Sequence, residues 1–169
     1  MTRVYLGIGS NCRPEFHVRA GVAALAATFG RVDLSPVYRT PAVGFEGRDF
    51  LNLAAGIDTD WSVQSLKDWL NDLEDAHGRR RDVPKFSDRN LDIDILLYGD
   101  EVLDRDGLVL PRPEILDYAH VLKPLADLAP RQVHPLTGRT LAEHWQAFES
   151  SGALEPVDLD LASTSGSRA

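Results

Sequence analysis

The chain has 169 residues, 43% of them hydrophobic and 26% charged, which suits one soluble globular domain with room for a sizeable core. Eighteen basic against 26 acidic residues leave a formal net charge of −8 and argue against nucleic-acid binding as its main function. The single cysteine, Cys12, excludes an intramolecular disulfide and a cysteine-based zinc cage, and suits a reducing compartment.

The opening MTRVYLGIGSN has too short an apolar run for a signal peptide, and no later segment is long enough to cross a bilayer, so a cytoplasmic location is expected. Within it RVYLGIG (3–9) reads as a strand. Gly7 and Gly9 are expected to permit a tight strand exit. No G-x-x-x-x-G-K-[ST] occurs, and GIGSNC lacks the third glycine of G-x-G-x-x-G. After Asn11, Val18, Val22, Leu25 and Phe29 recur at helical spacing, with Pro14 and Glu15 suited to the helix start and Gly30 to its end. VDLSPVY (32–38) reads as a second strand with an edge or bulge at Pro36. A turn-rich loop over 41–49 leads into FLNLAAGID (50–58), where Leu51, Leu53, Ala55 and Ile57 share one face and Phe50 and Asn52 the other.

Ser62 caps a second predicted helix that faces the core with Val63, Leu66, Leu70 and Leu73 and ends at Gly78. GRRRDVPKFSDR is a polar loop, and the run from Leu91 a strand closed by Gly99. Strand-like pieces near 101–110, an amphipathic HVLKPLADLAP and a late helix around TLAEHWQAF complete the pattern. The succession strand, helix, strand, strand, helix, strand predicts an α+β class. In detail it predicts a ferredoxin-like αβ sandwich with a mostly antiparallel sheet and helices on its faces. One domain is expected over 1–154, and a polar, poorly packed C-terminal tail over 155–169.

Asp92 and Asp94 stand inside the apolar run, although strands avoid Asp. Alternation points both carboxylates one way, roughly 7 Å apart, and Leu91, Ile93 and Ile95 the other way. Like charges on one face repel, and they lose hydration if enclosed. They either face open solvent or share divalent cations. Mg²⁺ takes one or two carboxylates and completes its shell with water and phosphate oxygens. Just upstream, Arg79, Arg80, Arg81, Lys85 and Arg89 oppose only Asp82 and Asp88, a local reversal of sign in an acidic chain. Arginine forks match phosphate oxygens, so cation loop and acidic strand supply both halves of a nucleoside triphosphate site. A solvated basic loop is the plainer alternative. Asn52 offers donors and an acceptor to the edge of a heterocycle, and Phe50 and Phe86 offer stacking faces. Singly, each is compatible with ordinary packing.

The run R-N-L-D-I-D-I-L-L-Y-G (89–99) resembles the R-x-L-D-x-D-I-L-x-[YF]-G signature of the 6-hydroxymethyl-7,8-dihydropterin pyrophosphokinases of folate synthesis. Five further pieces resemble that family in collinear order: Gly9-Ser10-Asn11, Tyr38-Arg39-Thr40-Pro41 with Gly44, Phe50-Leu51-Asn52, Glu74 through Gly78-Arg79, and Val121 through Leu125. Together they reach to about residue 135. The resemblance implies an enzyme that moves the β,γ-pyrophosphate of ATP onto the hydroxymethyl group of a reduced pterin, leaving AMP. It implies two Mg²⁺ ions on Asp92 and Asp94, with Arg79 and Arg89 beside them in catalysis. Arg79, Arg81 and Arg89 would meet the phosphates of ATP, and Asn71, Glu74 and Ile95 would lie near the nucleotide. Thr40, Pro41, Val43, Gly44, Phe50 and Asn52 would line the pterin pocket.

The chain departs from the family pattern at three places. Phe86-Ser87-Asp88 replaces Trp-Gly-Pro, and Pro111-Arg112 replaces Pro-His, keeping at Arg112 a donor near the nucleotide. Tyr118-Ala119-His120 replaces Arg-x-Phe. His120 can still stack on a pterin and can titrate near neutral pH. Tyr118 lacks the arginine's charge, unless Arg80 or Arg112 supplies it. These departures leave two alternatives: a divergent paralogue acting on a different pterin, and a non-catalytic nucleotide- or pterin-binding module. The expected partners are small molecules, ATP and a reduced pterin, with no nucleic acid and no membrane, and the expected state is a monomer.

Overall fold

Alternating apolar residues shape β1 (Thr2–Ser10), β4 (Phe50–Thr59) and β5 (Asp92–Tyr98), of which β1 and β4 lie inside one sheet and β5 along its edge. Val4, Leu6 and Ile8 of β1, Leu53 and Ile57 of β4, and Ile93 and Ile95 of β5 are all buried in one cluster. The structure is a computed structural model and describes residues 1–78, 89–149 and 152–161.

The strand order is β5-β1-β4-β3-β8, with β3 at Val37–Thr40 and β8 at Glu155–Val157, and every pairing is antiparallel. The predicted strand over 32–38 is split. β2 (Asp33–Leu34) and β3 pair with β4 separately. Between them Pro36 has no N–H to give, and Ser35 takes over the ladder locally. Its N–H donates to Ala54 O at 2.9 Å, and its hydroxyl accepts from Ala54 N at 2.8 Å. β6 (Leu103–Arg105) and β7 (Leu108–Leu110) form a separate hairpin.

Helices cover both faces of the sheet, giving a mixed α+β architecture. α1 (Pro14–Phe29) buries Val18, Val22 and Leu25, as its spacing predicts. Gly21 lets it sit close to β5, since a Cβ there would stand 3.3 Å from Leu91 Cδ1. α2 (Val63–Ala76) starts on the predicted cap, the Ser62 hydroxyl accepting from Ser65 N at 3.1 Å, and buries Leu66 and Leu70 on the same side. α3 (Glu114–Asp117), α4 (Ala119–Leu128) and α5 (Leu141–Ala147) lie across the other face. There Leu122, Leu125 and Leu141 pack on Ala54, Leu96 and Leu97. Thr140 and Glu143 close α5 with a reciprocal capping box. No helix among the described residues is long and apolar enough to cross a membrane.

The expected poor packing after Glu155 does not hold over residues 155–161. Val157 and Glu155 pair with Val37 and Arg39, Arg39 Nη1 reaches Glu155 Oε1 at 2.8 Å, and Leu161 is buried in the first core. The outer edge of β3 would otherwise present unpaired N–H and C=O groups, and β8 satisfies them.

Candidate active site

Strand register assembles the site in rows. Gly9 of β1 lies between Asp92 of β5 and Asn52 of β4, and Asn52 in turn lies opposite Tyr38 of β3. On the next rung Gly7 lies between Asp94 and Ala54. Residues facing each other across a ladder share a sheet face. The row Asp92–Gly9–Asn52–Tyr38 therefore occupies the face toward α4, and Leu91, Ile93 and Ile95 occupy the other, each 1% exposed. The two acids point the same way, as alternation predicts. Gly7 and Gly9, by contrast, do not open a strand exit. They sit inside β1 and leave the sheet bare between the acids and the amide. A Cβ on Gly9 would stand 2.8 Å from Asn52 Oδ1, and one on Gly7 3.3 Å from Leu96 Cδ1.

Over this bare patch opens a cleft of about 560 Å³. It brings together Thr40, Pro41, Val43, Phe50, Asn52, Arg89, Asp92, Asp94, Arg112 and His120. Phe45, Glu114 and Asp117 also line it, and nothing in their local sequence marks them out. Gly44 lies between two lining residues with φ 82°, a left-handed turn that glycine favours. Asn71, Glu74 and Ile95 do not line the cleft. Asn71 and Glu74 are on α2, and Ile95 is in the core. Glu74 is 4% exposed, and its Oε2 accepts from Ile93 N at 2.8 Å, fixing β5 between the two acids. Arg79, Arg80, Arg81, Lys85 and Phe86 lie outside the described residues.

The two ends of the cleft differ in chemistry. At one end Arg112 Nη2 stands 3.6 Å from Asp94 Oδ1 and 3.5 Å from Glu114 Oε2. Arg89 is held beside β5 by Asn11, which is 1% exposed. Asn11 N donates to Arg89 O at 3.0 Å, and Arg89 N donates to Asn11 Oδ1 at 2.8 Å. Burial, and then the charge of Asp92, push the Asp94 carboxyl up to about 7, with Arg112 pulling against them. At the other end Asn52 Nδ2 donates to Thr40 Oγ1 at 2.6 Å, and Phe45 meets Phe50 edge to face. The rings of Tyr118 and His120 lie 5.3 Å apart at 30°. Burial pulls the His120 imidazole below its ordinary value while Asp92 pulls it up, so its ring is mostly uncharged at neutral pH.

Such a cleft suits an elongated ligand with a polyanion at one end and a flat polar ring at the other. Among the described residues no three His, Cys, Asp or Glu side chains enclose an ion. A pair of carboxylates facing a cleft fits Mg²⁺, which leaves the rest of its shell to water and phosphate.

Comparison with known proteins gives a consistent picture. The family model described as 7,8-dihydro-6-hydroxymethylpterin-pyrophosphokinase matches residues 5–130. The chain is similar to the 2-amino-4-hydroxy-6-hydroxymethyldihydropteridine pyrophosphokinase of Methylorubrum extorquens, 40% identical over 156 residues, covering 90% of this chain and 97% of that one. It is similar to the protein of the same name from Pseudomonas aeruginosa, 37% identical over 145 residues, covering 83% of this chain and 88% of that one. Among solved structures it is similar in fold to Plasmodium falciparum HPPK-DHPS wild type, with TM-score 0.69 at 13% identity. That match covers 87% of this chain and 44% of the Plasmodium chain.

Proposed function

The chain belongs to the 7,8-dihydro-6-hydroxymethylpterin-pyrophosphokinase family, and from that premise we propose that it transfers pyrophosphate from ATP to the hydroxymethyl group of 6-hydroxymethyl-7,8-dihydropterin. The products are AMP and the pterin pyrophosphate used in folate synthesis. The observation that carries this reading is the row Asp92–Gly9–Asn52, which sets an acidic ledge and a carboxamide on one face with bare backbone between them.

In this reading Asp92 and Asp94 would hold Mg²⁺, two ions in all, at the polyanion end of the cleft. When bound, those ions offset the charge on the transferred group. Arg89, with Arg79 and Arg81 from outside the described residues, meets the phosphates, and Arg112 turns from its carboxylate partners toward them. The nucleotide extends past the β5 edge toward α2, which carries Asn71 and Glu74, and meets Ile95 at its main chain, the Ile95 side chain being buried in the core. Asn52, oriented by Thr40, reads the amide edge of the pterin. Phe50 and His120 contact its faces, and Pro41, Val43 and Gly44 shape the rim. The hydroxymethyl oxygen attacks the β-phosphorus as the bond to the α-phosphate oxygen breaks. The chain supplies position and electrostatics rather than a covalent nucleophile.

The order β5-β1-β4-β3, with α1 and α2 as the two crossovers, supports a ferredoxin-like sandwich for the fold. Residues 1–154 are taken to carry the catalytic site, with 155–161 completing the sheet edge and the core, and the chain acts in the cytoplasm as a monomer on small molecules and not on nucleic acid. The test is AMP release that depends on the pterin and disappears in Asp92→Ala and Asp94→Ala. A chain that binds both substrates and releases no AMP would sink the proposal.

A further inference from the structure

We propose that Tyr38, Asp127 and Lys123 form a clamp that fixes the rotation of α4 over the sheet and so sets the width of the ring end of the cleft. This inference rests on the pyrophosphokinase reading of that cleft. Tyr38 belongs to the row that contains Asp92 and Asn52, and it is 7% exposed. Its hydroxyl donates to the Asp127 carboxylate of α4. Lys123 Nζ donates to the other oxygen of the same carboxylate at 2.9 Å, and lies 5.3 Å from the centroid of the Trp145 ring on α5. One carboxylate thus joins β3, α4 and α5.

The spacing along α4 gives this junction its consequence. His120 and Asp127 are seven residues apart, two helical turns, and so lie on one face roughly 10 Å from each other along the axis. On the sheet side, Thr40 follows Tyr38 by two residues and shares its face, where it accepts from Asn52. The Tyr38 hydroxyl therefore ties the strand that carries Thr40 to the helix that carries His120. A second grip on α4 is apolar, through Leu122, Leu125 and Ala126 against Ala54 and Leu97. Apolar burial is non-directional and would tolerate a helix turned by several degrees. A hydrogen bond to a charged acceptor is directional and would not. Burial, and then Asp127, hold the Tyr38 hydroxyl up at about 12, which keeps its proton on the donor side. Tyr38, Asp127 and Lys123 are thus positioning residues for a flat heterocycle and do not touch it.

Calorimetric titration of the full chain with 6-hydroxymethylpterin, in the presence of Mg²⁺ and a non-hydrolysable ATP analogue, tests this. Tyr38→Phe is expected to weaken pterin binding about five- to tenfold, the effect of one lost hydrogen bond. The ATP analogue, titrated separately, should change by less than about twofold, and KM for the pterin should rise with kcat nearly kept. Asp127→Asn keeps an acceptor for Tyr38 and should retain most of the pterin affinity that Asp127→Ala loses. Wild-type affinity in Tyr38→Phe overturns the clamp, as does an equal loss of pterin and nucleotide affinity. If Tyr38→Phe does not fold, equal pterin affinity in the two Asp127 variants overturns it. A wild-type chain that binds no pterin fails the pyrophosphokinase reading and takes the clamp with it. Failure of the clamp alone leaves wild-type binding and AMP release intact.

Discussion

The two faces of the sheet share the same strands and are built for opposite purposes. Toward α1 and α2, Leu6, Ile8, Leu53, Ile93 and Ile95 meet Val18, Val22, Leu66 and Leu70 in a closed apolar core. Toward α4, the strands present Gly7, Gly9, Asn52, Asp92 and Asp94 to an open cleft. The first face earns stability by burying area. The second gives some of it up, since the carboxylate of Asp94 is held where its charge is unfavourable. Stability and chemistry are thus separated by one step of strand alternation.

Neighbouring residues on β5 give the largest expected contrast. Asp94→Ala is expected to lower AMP release by about a thousandfold or more while the thermal midpoint of the metal-free chain holds or rises. Ile93→Ala, one residue away and facing the other core, should cost about 2–4 kcal/mol of stability by denaturant titration. Its specific activity per folded molecule should stay near wild type. Comparable activity losses in the two variants would break the division between the faces.

Gly9→Ala comes next, because its Cβ would stand 2.8 Å from Asn52 Oδ1. Pterin affinity should fall about tenfold by calorimetry with little change in melting temperature. Gly21→Ala, on the opposite side, should behave in the reverse manner.

The pH dependence sharpens the same contrast. Asp94 holds its proton more tightly folded than unfolded, so the folded chain carries the extra proton between about pH 4 and pH 7. Stability of the metal-free protein from this group is therefore greatest below that window and falls as pH rises through it. Thermal scans of the wild type minus Asp94→Asn should show the decline, on the order of 5 °C. Millimolar Mg²⁺ at neutral pH should reverse it, since in the proposed reading the ion takes the deprotonated acid as a ligand. The smallest effect is expected for Arg112→Ala, about three- to fivefold weaker binding of an ATP analogue. Its guanidinium already has Asp94 and Glu114 within 4 Å and must leave them to meet phosphate.

Much of this division could be read from local pattern. The helical spacing of Val18, Val22 and Leu25, the Ser62 cap and the alternation around Asp92 and Asp94 are short-range signals, and each is realised. Resemblance to the family supplied Thr40, Pro41 and Val43, whose residue types alone say little, and they line the cleft. What stayed hidden is non-local. No spacing within β1 reveals that Gly7 and Gly9 will face Asp94 and Asp92, because register joins residues more than 80 positions apart. Glu74 enters the reading only through the resemblance, as a residue near the nucleotide, and no local pattern announces its bond to Ile93 N. The tail reads as polar and poorly packed because Glu155–Val157 finds its partner only on the edge of β3.

The glycine rung also acts as a ruler. Asp92 and Asn52 are separated by two inter-strand steps, about 9.6 Å, a length set by main-chain hydrogen bonding and beyond the reach of any side-chain change. A ligand that must satisfy the ledge and the carboxamide together is thereby selected for span as well as for shape. Retuning that span would require slipping a strand, which would turn the acids into the core.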